Sequence, residues 1–319
     1  MPRQTAENGS IKALGQFFTP ACVVDFACAA LLRLKPGLDT RRTRAIDPAC
    51  GDGAFVAGAL RHGLASARNI VGIDLDPEMT DKWSDSDCDG PWMVVDDGLL
   101  PSEETARHVP DGSFDFVLGN PPFHGHGVRY STPQALEELV RRYSLWRLGA
   151  QGKAQYRPPR PAEAVGSPSA ATLRVAQTPR SLGEQGKLGL ERLRLYPVEM
   201  LFLERFVRLA RTGGLIAIVL PEGVLANARR GPERQWLFAE HTVHAVVGLP
   251  RSTFRPAGIT AKTCLCFIEK SPPVAGHEVF LAEIDDTDGS LPDALQALSE
   301  MWAAGQVIAS PGPWLPVPR

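Results

Sequence analysis

Asn120, Pro121, Pro122 and Phe123 stand in an unbroken run and carry the groups needed to hold a planar amine. The asparagine amide oxygen and the Pro121 carbonyl are two acceptors, and two acceptors can grip both hydrogens of one NH2 group. The ring of Phe123 can stack on a heteroaromatic base, an interaction worth roughly 1–3 kcal/mol. Two successive prolines forbid both helix and ladder pairing, so a strand leading into them must stop there. The plainer alternative is a Pro-rich loop closing a strand, with Phe123 as ordinary core.

A second group of residues suits a nucleotide. Asp47-Pro48-Ala49-Cys50-Gly51-Asp52-Gly53-Ala54-Phe55 reads as a strand end, a glycine turn and a helix start. Gly51 and Gly53 let the backbone approach a ligand closely, and the helix start turns N–H groups toward it. Asp74 follows Gly53 by 21 residues at the end of Asn69–Leu75. In a βαβ unit that spacing puts a carboxylate beside the turn, where it can accept from both ribose hydroxyls. Asp96 and Asp97, before Gly98, could reach an adenine amine at the next position. Asp97 is the better placed, because Leu99 and Leu100 then resume the packing. Ahead of all these stands Gly15-Gln16-Phe17-Phe18-Thr19-Pro20, whose aromatics and backbone amides suit either a helix start or the lining of a pocket.

The elements that must position these groups can be read from periodicity. Ala21–Leu34 has the spacing of an amphipathic helix, with Thr19 as its expected N-cap and Pro20 at the first helical position. Apolar runs ending at Asp47, Leu75, Asp97 and Asn120 read as four strands, and Leu215–Pro221, His244–Leu249 and Thr263–Glu269 as three more. Pro133–Leu148 and Tyr196–Arg211 read as helices, the second closed by Gly213-Gly214. Strands alternating with helices predict an α/β fold, a doubly wound, mostly parallel sheet of seven strands. The carboxyl ends of such strands face a common crevice. Residues 1–270 are expected to form one catalytic domain, with 271–319 an extension lacking its own core.

Composition narrows the class. The chain has 319 residues, 44% hydrophobic and 22% charged, as in an ordinary soluble globular protein. No apolar run approaches the ~20 residues of a membrane span, and the first residues lack the apolar stretch of a signal peptide. A cytoplasmic protein is expected. The six cysteines show no C-x-x-C pairing and read as small buried hydrophobes, with no metal site. The net charge of −2 conceals a basic stretch. Between Arg129 and Arg194 there are 12 Lys or Arg against 5 Asp or Glu, a surplus of 7. That stretch lies in a Pro- and Gly-rich insertion, 124–195, expected to be flexible. Arg141, Arg142, Lys153, Arg157 and Arg160 are its candidates for phosphate contacts.

Taken together, Gly15–Pro20, Asp47–Phe55 and Asn120–Phe123 resemble, in order, three motifs of the N6-adenine DNA methyltransferases of the γ arrangement, in which the cofactor region precedes the catalytic tetrapeptide. Leu220-Pro221-Glu222-Gly223, and Gly248-Leu249-Pro250 ahead of Phe254, resemble the methylation subunits of type I restriction-modification systems. Asp52 departs from the family's usual Ser. The resemblance spans roughly residues 12–285.

The resemblance implies a Rossmann-like fold that binds S-adenosylmethionine through Phe18, Thr19, Pro20, Asp47, Ala49, Gly51, Gly53, Phe55, Asp74, Leu75, Asp97, Gly98 and Asn120. It makes Asn120, Pro121, Pro122 and Phe123 the catalytic residues, acting on the N6 amine of an adenine flipped out of double-stranded DNA. Relatives that act alone carry a target-recognition domain after the catalytic region. The length here is too short for that arrangement and suits a separate recognition subunit, as in the type I systems, but the chain also departs from those in lacking the long helical region ahead of the cofactor motif. Two alternatives share the amine-binding tetrapeptide: a same-fold methyltransferase acting on RNA or on a protein glutamine, and a non-catalytic cofactor-binding subunit of a larger complex.

Overall fold

The computed structural model describes residues 18–83, 90–123, 130, 132–150, 193, 196–254, 262–286 and 289–305. Its frame is an eight-stranded sheet in the order β3-β2-β1-β4-β5-β7-β6-β8. The strands are β1 (Ala45–Asp47), β2 (Ile70–Asp74), β3 (Trp92–Val95), β4 (Phe114–Gly119), β5 (Ala210–Pro221), β6 (Thr242–Leu249), β7 (Thr263–Glu269) and β8 (Phe280–Glu283). β3, β2, β1, β4 and β5 run parallel, as do β6 and β8, and β7 is antiparallel to both its neighbours. The expected α/β architecture is present, with one strand more than the seven read from sequence. β8 escaped detection because only Phe280 of its four residues is buried, too little for a period-2 signal.

Helices cover both faces. On one side α1 (Ala21–Leu34), α2 (Ala54–Arg61) and α8 (Leu291–Ala303) enclose Val24, Phe55, Phe116, Phe267 and Leu295. On the other α4 (Pro133–Arg142), α5 (Leu145–Ala150), α6 (Val198–Leu209) and α7 (Gly231–Glu240) cover Ile73, Val117, Leu201, Phe206 and Ile218, while α3 (Glu103–His108) links β3 to β4. With apolar layers on both faces, β2 and β4 are buried at every position, which is why they read as continuous apolar runs. Beyond residue 271, β8 and α8 complete the first layer. Trp302 of α8 stacks on Phe280 at 5.4 Å, and the Arg33 guanidinium lies 4.3 Å above the Trp302 ring.

Three local expectations are corrected. The Pro133–Leu148 helix breaks at Tyr143, because the buried Glu204 carboxylate accepts from the Ser144 and Leu145 amides at 2.7–3.0 Å and starts a new helix there. Gly213-Gly214 does not cap the preceding helix, which ends at Leu209; the pair lies inside β5 beside a register shift against β4. A Cβ on Gly214 would stand 2.8 Å from the Phe114 carbonyl oxygen, so this close strand crossing requires glycine. Finally, Pro20 occupies the N-cap of α1 and no side chain caps it, so Thr19 has another use.

Candidate active site

The order β3-β2-β1-β4 brings four parallel strand ends to one edge, and with them Asp97, Asp74, the 48–53 turn and Asn120. Each is fixed by the backbone around it. Gly51 (φ +53°) and Gly53 (φ +85°) lie in the left-handed region that side chains rarely adopt, so the turn is specific to glycine. Gly51 N donates to Asp74 Oδ2 at 2.7 Å, Asp76 N donates to Asp74 Oδ1 at 3.0 Å, and Cys50 N donates to the Ile73 carbonyl at 2.9 Å. Asp74, only 7% exposed, therefore anchors the turn to β2. A carboxylate can accept about four hydrogen bonds, so ribose hydroxyls would share it with these amides. Leu75, next in the chain, is 59% exposed and gives this edge an apolar surface.

The loop after β3 closes against the loop after β1. A Cβ on Gly98 would stand 1.8 Å from the Pro48 carbonyl oxygen, so nothing larger than glycine fits there. Asp97 Oδ1 accepts from the Leu99 and Leu100 amides at 2.8 and 3.2 Å. Asp47 is wholly buried beneath the tip of β4: Ala49 N donates to its Oδ1 at 3.0 Å, and a Cβ on Gly119 would come within 2.4 Å of that same oxygen. Burial pushes the Asp47 carboxyl well above the usual carboxylate range, with the neighbouring Asp74 and Asp52 adding to the rise against the Ala49 amide.

Asn120 ends β4 half-buried, and its Nδ2 donates to Thr19 Oγ1 at 3.1 Å across 101 residues of sequence. That bond restrains rotation of the amide, whose Oδ1 is buried. Phe18 lies beside Thr19 with the Lys82 ammonium 3.8 Å above its ring. Pro121 is buried and Pro122 half-buried. Phe123 is 2% exposed and meets Phe254 edge-to-face, ring centroids 6.4 Å apart. Phe55 lies in the core, Ala49 is half-buried, and Asp52 Oδ1 accepts from Ala54 N at 3.2 Å, a contact the usual Ser could also make.

Over residues 3–155 and 197–302 the sequence matches the family described as N-6 DNA Methylase. The chain belongs to this family. Over 124 residues it is 32% identical to the Type II methyltransferase M.TthHB8I of Thermus thermophilus, an alignment covering 38% of this chain and 24% of that protein. Among solved structures, the methyltransferase subunit of a type I restriction-modification system from Streptococcus thermophilus is similar with a TM-score of 0.56 at 18% identity, covering 91% of this chain and 53% of that one. The M protein of the type I restriction enzyme EcoKI is similar with a TM-score of 0.53 at 16% identity, covering 90% and 54%. The chain thus spans about half the length of these structures and a quarter of the sequence relative. At such identities the structural likeness is one of fold.

In this chain, then, the edge brings Thr19, Gly51, Asp74, Asp97, Gly98 and Asn120 together, whereas Phe55 and Phe123 are packed inside. Arg141 and Arg142 lie on the last turn of α4 and pair with Glu138 at 3.2 and 3.6 Å. Lys153, Arg157 and Arg160 lie outside the described residues. Sequence reading missed Trp83, whose Nε1 donates to the Gly51 carbonyl at 2.9 Å, and Phe254 as the partner of Phe123. It also missed Arg205, whose Nε donates to the Gly98 carbonyl at 2.9 Å. No spacing rule links residues 32 to 131 positions apart. The only signal available was Phe254's place after Gly248-Leu249-Pro250.

Proposed function

We propose that the chain transfers a methyl group from S-adenosylmethionine to the N6 amine of an adenine flipped out of duplex DNA. It would do so in the cytoplasm as the methylating part of a restriction-modification or related defence system. The observation that carries this reading is the placing of Asn120, its amide pinned to Thr19, on the same edge as the glycine turn, Asp74 and Asp97. The edge fits the cofactor. Gly51 leaves room for close approach, Asp74 offers a carboxylate to the ribose, Leu75 an apolar surface to the base and Asp97 an acceptor to its amine. When bound, S-adenosylmethionine supplies an activated methyl group on a sulfonium.

The rest is done by this chain's residues. An adenine amine is unreachable while stacked, so the base must leave the duplex. Its nitrogen is a weak nucleophile, because the lone pair is delocalised into the ring. Asn120 Oδ1 and the Pro121 carbonyl each accept one N6 hydrogen, favouring a tetrahedral nitrogen whose lone pair is localised toward the methyl. Alignment and fixed dipoles provide the acceleration; as the N–C bond formed the methyl–sulfur bond would break to release a neutral thioether, and the N6 proton, acidic only then, would pass to solvent. Phe123 is 2% exposed and packed against Phe254, so stacking of a base on its ring requires the side chains around it to move.

The test is incubation of the purified chain, with its partner subunit where one is required, with methyl-labelled cofactor and DNA, RNA or protein. Label is expected in DNA as N6-methyladenine. Asn120→Ala is expected to abolish it while changing cofactor affinity less than about threefold. Label in RNA or protein, or equal loss of binding and turnover, would refute the assignment.

A further inference from the structure

Three successive residues after β3 each receive a hydrogen bond from a side chain of a distant segment. The Tyr130 hydroxyl donates to Asp97 Oδ2 at 2.7 Å, Arg205 Nε to the Gly98 carbonyl at 2.9 Å, and the Tyr143 hydroxyl to the Leu99 carbonyl at 2.7 Å. Two of these follow from burial. Arg205 and Tyr143 lie in the interior, where a carbonyl left without a donor would be costly.

The third is of another kind. Tyr130 is only half-buried, and it donates to a side-chain oxygen instead of a backbone carbonyl. That oxygen belongs to the carboxylate assigned above to the cofactor's adenine amine. Since Asp97 Oδ1 is already held by the Leu99 and Leu100 amides, the Tyr130 bond fixes the second oxygen and stops the carboxylate from rotating. One lone pair of Oδ2 then points at Tyr130, and the other lies in the same plane at a set angle. Burial and the adjoining carboxylate push the Tyr130 phenol far up, so it remains a donor across the physiological range.

We infer that Tyr130 is a positioning residue: its hydroxyl orients the Asp97 carboxylate so that the cofactor's exocyclic amine meets a preset acceptor, and this makes the site select adenine over hypoxanthine. The inference rests on the proposed placing of adenine at Asp97. A site with a fixed acceptor rejects a ring carrying a carbonyl in place of the amine, because two acceptors then face each other unpaired.

The experiment measures, by calorimetry on the full chain, binding of S-adenosylmethionine and of its inosine counterpart to the wild type, Tyr130→Phe and Asp97→Ala. Tyr130→Phe keeps the ring and removes only the hydroxyl. It is expected to weaken S-adenosylmethionine binding roughly 3- to 10-fold, in line with the net worth of one ordinary hydrogen bond, and to weaken the inosine compound by less than about twofold, so that discrimination shrinks. Equal weakening of both compounds would mean that Tyr130 merely packs, and tighter adenine binding would mean that its hydroxyl competes with the amine; either result overturns the proposal. A wild type that does not discriminate, or an Asp97→Ala variant that discriminates as well as the wild type, would refute the placing of adenine itself. That failure is distinct from a defect confined to Tyr130.

Discussion

Two glycines at the strand ends show how a site residue can be defined by space instead of by chemistry. Gly98 abuts the Pro48 carbonyl and Gly119 abuts the Asp47 carboxylate. A methyl group would drive apart the loops after β3 and β1 at Gly98, and the ends of β4 and β1 at Gly119. Gly98→Ala meets backbone that cannot yield cheaply, and overpacking of this kind costs about 1–3 kcal/mol. The variant should therefore unfold at lower denaturant and bind S-adenosylmethionine several-fold more weakly. A variant that matches the wild type in both would show that the contact is easily relieved. The place of Gly98 after Asp97 made it a candidate site residue in the sequence. The reason for it, a carbonyl 50 residues earlier, was not legible there. Thr19 repeats the lesson: its type suggested a helix cap, whereas its hydroxyl serves Asn120, a partner that only the fold brings near.

Elements were legible where their signal was local. Ala21–Leu34 was read to the residue, as was the strand through Thr263–Glu269, because one buried helix stripe and one buried strand each repeat along the sequence. The region between Pro133 and Ala150 was not, because its break is imposed by α6. From that helix Glu204 starts α5, while Arg205 and Arg208 grip Asp111 ahead of β4, with Nη1 of Arg205 and Nη2 of Arg208 each 2.7 Å from its carboxylate. Burial would raise the Asp111 carboxyl, but Arg208 and Arg205 hold it below its ordinary value. Arg205 is 2% exposed, so losing its anion leaves a buried cation partly uncompensated. Removing one partner of a fully buried pair costs about 3–5 kcal/mol, and since Asp111 is itself 43% exposed a figure on the order of 2 kcal/mol is expected for Asp111→Ala. Urea unfolding checks this. The same variant should loosen the Gly98 carbonyl's donor and lower cofactor affinity, whereas Glu138→Ala, on the exposed surface of α4, should do neither.

At the scale of the whole molecule, the parallel half of the sheet was legible and carries the candidate site, while the far half depended on pairings that no local pattern records. β7 runs against both neighbours, and β6 must lie between β7 and β8, so strands β5 to β8 are ordered by long-range register. His241 sits at the entry to β6, buried against the Trp236 ring at 5.0 Å, and neither ring nitrogen has a hydrogen-bond partner among the described residues. Burial first, and the nearby Lys270 cation second, lower its pKa to about 4. An unfolded chain takes up that proton near pH 6.5, whereas the folded one resists until about 4, so stability drains away as the pH falls through this window. At 1.36 kcal/mol per pH unit the full loss is roughly 3 kcal/mol. Glu199 and Glu204, whose carboxyls burial raises, act in the opposite sense, because the folded chain protonates them first. The net slope therefore mixes these groups, and the comparison of wild type with His241→Phe isolates the histidine. Phenylalanine keeps a ring against Trp236 and cannot take a proton. Denaturant midpoints followed from pH 7 to pH 4 should diverge in favour of the variant, with most of the separation below pH 6.5. Curves that stay parallel would mean that the imidazole is solvated and titrates normally in the fold.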